Sequence, residues 1–211
     1  MLELYDYPRS SAAFRVRLAL NYKGLDYSKI KIDLLNGEQK KDPYLALNAA
    51  GLVPSLVTED GQVLSQSLAI LDYLEQHYRE PPLLPHNELE QAYVRAFSLA
   101  VACDTHPLNN LRVLNYLRKE LGQSEESVNA WYQHWIKLGL SSLEEMIAQH
   151  KFYSGSFVCG GQFSMADACL LPQIYNARRF ACDLSSYPRL LAIEAHCREL
   201  SWVVAAYPEA S

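Results

Sequence analysis

The chain of 211 residues contains few cysteines, and none of them belongs to a metal-binding motif. The five cysteines are odd in number and scattered, without a Cys-x-x-Cys motif or a Cys/His pair at metal-ligand spacing. They are Cys103, Cys159, Cys169, Cys182 and Cys197. We therefore expect reduced, mostly buried thiols in a reducing cytoplasm, and no metal site.

Long apolar runs and basic runs are also missing. No apolar stretch approaches the roughly 20 residues of a membrane span, and the first residues lack the features of a signal peptide. The net charge of −5, without a Lys/Arg run, argues against a nucleic-acid-binding surface. Hydrophobic residues make up 49% and charged residues 20% of the chain, as in globular proteins. We expect a cytoplasmic protein with neither a membrane nor a nucleic-acid partner.

The N-terminal stretch combines a predicted strand, a turn and a helix. Leu2 to Tyr5 is a short apolar segment that predicts a strand, and a helix is expected from Ser11. Apolar residues recur at helical spacing in Phe14, Leu18 and Tyr22, with Val16 and Leu20 beside them. Ser10 or Ser11 occupies the N-cap position, where a hydroxyl and several unpaired N–H groups point out of the helix. Such an end attracts an anion, although a serine there is also an ordinary helix cap.

The following 60 or so residues continue an α/β pattern. Tyr27 to Asp33 alternates as a strand, and a polar helix is expected from Glu38 to Leu47. Two short strands flank Asp60-Gly61, which is a hairpin signal, and an apolar helix follows from Leu68 to Tyr78. The order βαβ–ββα predicts a thioredoxin-like domain over residues 1–80.

A proline-rich segment separates this region from a stretch without predicted strands. Glu80-Pro-Pro-Leu-Leu-Pro85 cannot continue a helix, so residues 81–86 are interpreted as a linker. Residues 87–211 are expected to form an all-α domain. Predicted helices cover 88–120 with a kink at Pro107, 125–150, 168–181 after a Ser164–Asp167 capping box, and 187–200. In the second of these, both apolar stripes are expected in the core, including Trp131, Trp135 and Leu138.

Several local motifs resemble one protein family. They are Arg9-Ser-Ser-x-x-Phe-Arg-Val-Arg-Leu-Ala-Leu20, Val53-Pro54, Gln66-Ser67-Leu-Ala-Ile70, Asn109-Asn-Leu-Arg-Val-Leu114 and Asn176-Ala-Arg-Arg-Phe180. In order and spacing the chain resembles the zeta-class glutathione transferases, the maleylacetoacetate isomerases, over nearly its whole length. The resemblance implies an α/β thioredoxin-like N-terminal domain plus an all-α C-terminal domain, glutathione as cofactor, and a homodimer.

The resemblance also implies a set of glutathione-binding residues. Val53 before Pro54 would have a cis peptide bond and would pair through its backbone with the cysteinyl part of glutathione; an ordinary trans turn is the alternative. Gln66 and Ser67 would hold the γ-glutamyl carboxylate, although they also fit a plain N-cap. Gln39 would contact the glycyl end, or else lie on the surface. The implied set is completed by Ser10, Ser11, Ala12 and Asn109.

Ser10 is the predicted thiol-activating residue, with Ser11 as its neighbour. A thiol pKa near 8.5 must fall by about 2 units, or about 2.7 kcal/mol, for the thiol to be mostly ionised at pH 7. A hydroxyl donor contributes about 1.5–3 kcal/mol and the helix end about 0.3–1 kcal/mol. Ala12 stands where zeta enzymes commonly have cysteine, which argues against a thiol transferase or dehydroascorbate reductase. Maleylpyruvate isomerases, which lack that cysteine, resemble the chain too.

Maleylacetoacetate and maleylpyruvate are dianions, so arginines are expected on the substrate side. Arg9 adjoins the serine pair, helical spacing places His106, Asn109 and Arg112 on one face, and by resemblance Arg179 binds a carboxylate. Each arginine is otherwise a solvated helix residue, and His106 is otherwise a buried residue at a kink. Arg15 and Arg17 are expected to face solvent or the domain interface.

The reaction implied by the resemblance is cis–trans isomerisation in tyrosine and phenylalanine catabolism. The glutathione thiolate adds to the alkene, the new single bond rotates, and sulfur is eliminated, so glutathione is regenerated. Three alternatives remain: a maleylpyruvate isomerase, a general transferase for small electrophiles such as α-halo acids, and a non-catalytic binding module on the same fold.

Overall fold

Residues 1–208 are described by a computed structural model, and their contacts divide the chain into two units. The first unit comprises Met1–Leu83 and the C-terminal segment that begins at Arg198, and the second comprises Leu84–Cys197. The expected domains end and begin at residues 80 and 87. The two units differ from these domains in one respect. The segment from Arg198, which was expected in the second domain, belongs to the first unit because it contacts the N-terminal residues.

The first unit is built on a four-stranded mixed sheet. Its strands are β1 (Leu2–Asp6), β2 (Tyr27–Lys31), β3 (Ser55–Val57) and β4 (Val63–Ser65), in the order β2-β1-β3-β4. β1 and β2 are parallel, whereas β3 is antiparallel to both of its neighbours. The helices of this unit are α1 (Ser11–Tyr22), α2 (Asp42–Leu47), α3 (Ser67–His77) and α9 (Ser201–Val204). The predicted thioredoxin-like order is confirmed.

The predicted helix from Glu38 to Leu47 is wrong in its first half. Glu38–Lys40 forms a 3-10 turn, Lys41 is extended with φ −88° and ψ 149°, and α2 begins only at Asp42. The reason is Pro43, which has no N–H to donate to a carbonyl one turn earlier. The break separates Gln39 from α2 and places it in the turn.

Arg17 lies at the centre of the first unit with its guanidinium fully buried. Its Nη1 donates to Asp6 Oδ1 at 2.6 Å, and its Nη2 donates to the Pro8 carbonyl at 2.9 Å. Its Nε donates to the carbonyl of Ala206, also at 2.9 Å. The expectation that Arg15 and Arg17 face solvent is therefore wrong, since both are buried, and the three bonds of Arg17 stay within this unit.

The C-terminal segment adds further contacts to α1. Asn21 Nδ2 donates to the Trp202 carbonyl at 3.0 Å, and the rings of Phe14 and Tyr207 meet edge to face with centroids 4.9 Å apart. The last predicted helix ends at Cys197 rather than at residue 200, and α9 follows it. These bonds explain why the segment belongs to the first unit.

The second unit consists of helices. They are α4 (Glu88–Leu99), α5 (Leu111–Lys119), α6 (Glu125–Gln149), α7 (Met165–Arg179) and α8 (Pro188–Cys197). The predicted break of the α-helix near Pro107 is confirmed, but it extends over ten residues, 100–109. A π-helical segment, Ala100–Thr105, and a 3-10 turn, His106–Asn109, separate α4 from α5.

Gly139 allows α6 to approach the π-helical segment closely. A Cβ at this position would lie 2.3 Å from Thr105 Oγ1, so no larger residue fits without a shift. α6 buries Tyr132, Ile136 and its other residues on that stripe, whereas Leu138 is 57% exposed. The prediction that both stripes of this helix lie in the core is therefore wrong for the Leu138 stripe.

The capping box at the start of α7 is confirmed. Asp167 Oδ2 accepts hydrogen bonds from the Ser164 N–H at 2.9 Å and from its hydroxyl at 2.7 Å, and Oδ1 accepts one from the Val158 N–H at 2.8 Å. Burial raises the pKa of Asp167 to about 6, although the hydrogen bonds from Ser164 and Val158 lower it. The box thereby fixes the start of the helix that carries Arg179.

None of the five cysteines forms a disulfide within the described residues, and three of them, Cys159, Cys169 and Cys197, are buried. Within residues 1–208, no three His, Cys, Asp or Glu side chains lie together as metal ligands would. Over the same range, no helix combines the length and apolarity that crossing a bilayer requires.

We predict that Arg17→Met lowers the free energy of unfolding by about 3–5 kcal/mol, because it leaves the Asp6 carboxylate buried without its cation. Urea denaturation followed by circular dichroism measures the change. Arg118→Met is the matched control, because its ion pair with Glu125 is largely exposed and its loss should change stability little. Equal effects of the two substitutions would contradict a structural role for the buried pair.

Candidate functional site

The turn between β1 and α1 presents one serine and buries the next. The Ser10 N–H donates to the Tyr7 carbonyl at 2.8 Å, and Ser10 Oγ accepts from the Ala13 N–H at 3.2 Å. Because the oxygen accepts in this bond, the hydroxyl proton remains able to donate to a ligand. Ser10 is partly exposed, whereas Ser11 is only 5% exposed. Of the predicted pair, Ser10 is the one that a bound molecule can reach.

Two helix N-termini of the first unit lack the acidic residues that would neutralise them. Neither α1 nor α3 has an Asp or Glu in its first turn. The partial positive charge of each end is therefore available to an anion. Ala12, the second residue of α1, is partly exposed beside Ser10 and contributes no side-chain polar atom.

Arg9 is exposed and lines a cleft of about 270 Å³. The cleft lies where the parallel strands β1 and β2 end, and such carboxyl ends commonly bind ligands. Its lining residues are Tyr7, Pro8, Arg9, Lys31, Asp33 and Leu35. Hydrogen bonds from the Asn36 and Leu35 backbone, with the nearby Lys31 charge, lower the pKa of Asp33. The cleft thus carries two cations and one carboxylate, and the sequence analysis did not identify Lys31 as part of it.

Gln39 is positioned against the loop that leads into β3. Gly51 has φ 59°, and a Cβ there would lie 2.9 Å from the Gln39 carbonyl, so only glycine fits without strain. Among the described residues, Gln39 Oε1 is buried and has no hydrogen-bond partner. Two residues after Gly51, the Val53–Pro54 bond is cis, as the resemblance implies. The structure therefore brings Gln39 next to the loop that carries Val53, although the two are distant in sequence.

Gln66 and Ser67 lie at the start of α3, as predicted. Gln66 is exposed and has φ 68°, a conformation that costs a non-glycine residue about 1–3 kcal/mol and is frequent at functional sites. Ser67 is 6% exposed, and its Oγ accepts a hydrogen bond from Arg15 Nη1 at 3.1 Å. The sequence analysis missed Arg15, because a cation on a helix is usually solvated and no local pattern marks this one as buried.

In the second unit, Asn109 and Arg179 belong to one cluster around Tyr132. Asn109 Nδ2 donates to the Tyr132 carbonyl at 3.4 Å, and the Tyr132 ring stacks on Phe180 with centroids 3.5 Å apart. The Arg179 guanidinium carbon lies 5.7 Å from the Phe180 ring centre and 5.8 Å from that of Tyr175. Burial raises the pKa of Tyr132, so it remains a neutral phenol. The aromatic rings thus hold Arg179 in a defined place.

The neighbouring arginine has a different partner. Arg178 forms an ion pair with Glu194 of α8, with its Nη2 2.5 Å from Glu194 Oε2. The Arg179 side chain therefore carries the cation of this cluster, while the Arg178 charge is paired within the helix packing. In the same cluster, Asn109 Oδ1 is buried without a partner among residues 1–208. The exposed Arg179 guanidinium is the group of this cluster that a ligand can reach.

The prediction that His106, Asn109 and Arg112 share one α-helical face is wrong. His106 begins a 3-10 turn that ends at Asn109, and Asn110 is extended with ψ 145°. Arg112 is exposed in the first turn of α5, where its N–H donates to Asn110 Oδ1 at 3.1 Å. The helical wheel fails because residues 106–112 do not form a continuous α-helix.

The chain is similar to known proteins over nearly its whole length. The family model described as "Glutathione S-transferase, N-terminal domain" matches residues 4–82. A probable maleylacetoacetate isomerase of Vibrio cholerae is 44% identical over 211 residues, covering 99% of this chain and 96% of that protein.

Two solved structures share the fold over the full chain. The holo structure of a maleylpyruvate isomerase, a bacterial zeta-class glutathione S-transferase, has a TM-score of 0.96 and 40% identity, covering 99% of this chain and 98% of the other. A maleylacetoacetate isomerase from Methylobacterium extorquens, with bound malonate and glutathione, has a TM-score of 0.96 and 38% identity, covering 99% and 97%.

Proposed function

The chain belongs to the zeta class of the glutathione transferases, and from this premise we propose that it catalyses the glutathione-dependent cis–trans isomerisation of maleylacetoacetate to fumarylacetoacetate. The observation that carries the proposal is the geometry of Ser10, whose hydroxyl caps α1 as an acceptor and keeps its proton for a bound thiolate. The reaction would belong to aromatic amino-acid catabolism.

The residues of the first unit fit glutathione. The uncompensated N-terminus of α3 and the Ser67 hydroxyl suit the γ-glutamyl carboxylate, and the buried, unpaired Gln39 Oε1 suits a donor near the glycyl end. The Val53 backbone next to β3 suits the extended cysteinyl part. Bound glutathione supplies a thiolate that adds reversibly to an alkene conjugated with a ketone.

Ser10 and the α1 N-terminus lower the pKa of the bound thiol in this proposal. The hydroxyl donates to sulfur, and the unpaired N–H groups of the first turn add a favourable field. Neither group titrates near neutral pH, so no protein base is required. Ala12 leaves no protein thiol at the helix start, so the chemistry depends on the thiol of the ligand.

Arg9, His106, Asn109, Arg112 and Arg179 are the proposed substrate-binding residues. A maleyl keto acid carries two carboxylates, and a guanidinium can bind each of them in bidentate fashion. Arg9 lines the cleft at the ends of β1 and β2, and Arg179 is held by the Tyr132 cluster. A cation near the ketone oxygen stabilises the negative charge that develops there after sulfur adds. The relative from Methylobacterium extorquens binds malonate, itself a dicarboxylate, together with glutathione.

The second candidate substrate is maleylpyruvate. It is favoured by Ala12, which stands where maleylacetoacetate isomerases commonly have cysteine. The site polar groups fit both acids, because the two share the maleyl group and the ketone.

We further propose a cytoplasmic homodimer with residues 81–86 as the interdomain linker. The cytoplasmic location is supported by the five cysteines, none of which forms a disulfide within the described residues. The dimer is proposed from the resemblance to the zeta class. The linker is supported by the change from one unit to the other after Leu83.

We predict that the purified protein isomerises a maleyl keto acid only when glutathione is present. With catalytic glutathione, maleylacetoacetate or maleylpyruvate becomes its fumaryl isomer and the glutathione concentration stays constant.

Ser10→Ala should lower kcat/KM by about 10- to 100-fold, because one charge-assisted hydrogen bond is lost. Ser11→Ala is the matched control, since Ser11 is buried, and its effect on kcat/KM should be much smaller. Spectrophotometry of the enol absorbance measures turnover.

Consumption of glutathione without isomerisation would instead identify a conjugating transferase. An unchanged rate in Ser10→Ala, or a larger loss in Ser11→Ala, would contradict the assignment of thiol activation to Ser10.

Arg179→Gln should raise KM for the maleyl substrate by about 10-fold or more while leaving KM for glutathione unchanged, because a charged carboxylate contact is lost. Arg178→Gln is the matched control. It removes the same charge at the neighbouring position, but there the arginine is paired with Glu194, so KM for the maleyl substrate should change little. Steady-state kinetics with each reactant varied separates the two effects. If Arg178→Gln raised the substrate KM as much as Arg179→Gln, specific recognition by Arg179 would be ruled out.

A further inference from the structure

The start of α3 combines a first turn without acidic residues and the side-chain hydroxyl of Ser67. Ser67 is the first residue of α3, and the first turn of that helix contains no acidic residue. The N–H groups of a first turn have no intrahelical acceptor and point toward a ligand. Ser67 itself is 6% exposed, so its hydroxyl has little contact with bulk water.

Arg15 reaches this hydroxyl from α1. Its side chain is 2% exposed, and its Nη1 donates to Ser67 Oγ at 3.1 Å in a buried hydrogen bond between the two helices. A guanidinium has donors only, so Ser67 Oγ must be the acceptor. The Ser67 proton is thereby left to donate to a different group, and the bond fixes where that proton points.

The guanidinium also brings a permanent charge to the same end of α3. Arginine does not lose its proton in proteins, and a charge in a buried position is screened less than one in water. Its field therefore adds to that of the α3 N-terminus. The Ser67 hydroxyl, the N–H groups of the first turn of α3 and the Arg15 guanidinium together favour binding of a carboxylate at this end.

We propose that Arg15 is a positioning residue that orients Ser67 and supplies the buried positive charge for the γ-glutamyl carboxylate of glutathione. This inference rests on the proposed use of glutathione and assigns a role to a residue that does not itself need to touch the ligand. Arg15 acts through Ser67.

The other buried cations of the first unit have different partners. Arg17 is paired with the Asp6 carboxylate at 2.6 Å. Lys23, at the end of α1, also links α1 to α3, but it donates to Glu75 Oε2 at 3.2 Å and to the Tyr78 and Pro81 carbonyls. Arg15 differs from both because its Nη1 donates to a hydroxyl at a helix N-terminus that has no acidic residue in its first turn.

The test compares two ligands by isothermal titration calorimetry. One is glutathione, and the other is γ-aminobutyryl-cysteinyl-glycine, which lacks only the γ-glutamyl carboxylate. The ratio of their Kd values isolates recognition of that carboxylate, and a general loss of structure does not change it. The native chain should prefer glutathione.

Arg15→Met should reduce this preference by about 10- to 100-fold, mainly by weakening glutathione binding. Arg15→Gln retains a donor for Ser67 and loses the charge, so it should reduce the preference by a smaller factor. Arg15→Lys restores the charge and should recover part of it. Lys23→Met is the matched control, a buried cation between the same helices, and should leave the ratio unchanged.

An unchanged ratio in either neutral variant that folds would overturn the inference, as would an equal weakening of both ligands. A native chain that binds glutathione without preferring it over the analogue would overturn it too. A native chain that binds neither ligand would instead refute the proposed function itself, which distinguishes the two failures.

Discussion

The buried ion pair between Arg17 and Asp6 is the constraint on which the candidate site depends. One guanidinium joins the end of β1, the Pro8 carbonyl in the following turn, and the Ala206 carbonyl near the end of the chain. The turn that carries Arg9 and Ser10 is thereby held at both sides. A buried charge requires such complete pairing, because an unpaired one is costly. The position of Ser10 follows from this packing.

In the proposed function, the two helix N-termini of the first unit bind different groups of one ligand. The end of α1, with Ser10, suits a thiolate, and the end of α3, with Ser67, suits a carboxylate. Both ends lack acidic residues in the first turn, so both remain attractive to anions. In the helical unit, Arg179 lies beside the Tyr175 and Phe180 rings and is the proposed carboxylate-binding group. In the proposed reaction, the protein therefore acts through electrostatic interactions, and the thiolate of bound glutathione is the nucleophile.

Features with local causes were predictable from the sequence. The Ser10 cap, the Asp60-Gly61 hairpin and the capping box at Ser164 each depend on residues a few positions apart. The burial of Arg17 was not predictable, because one of its acceptors lies 189 residues away. The same holds for Arg15, whose partner Ser67 is 52 residues away. The 3-10 turn before α5 was missed because helical spacing alone does not reveal where the hydrogen-bond pattern changes.

The central claim is that the chain holds the thiol of glutathione ionised at the N-terminus of α1. The most direct test is the pKa of glutathione bound to the native protein, measured from thiolate absorbance in the ultraviolet as pH is varied. The account predicts a pKa about 2 units below the value near 8.5 of an unperturbed thiol. A bound thiol that titrates at the same pH as the free thiol would contradict it.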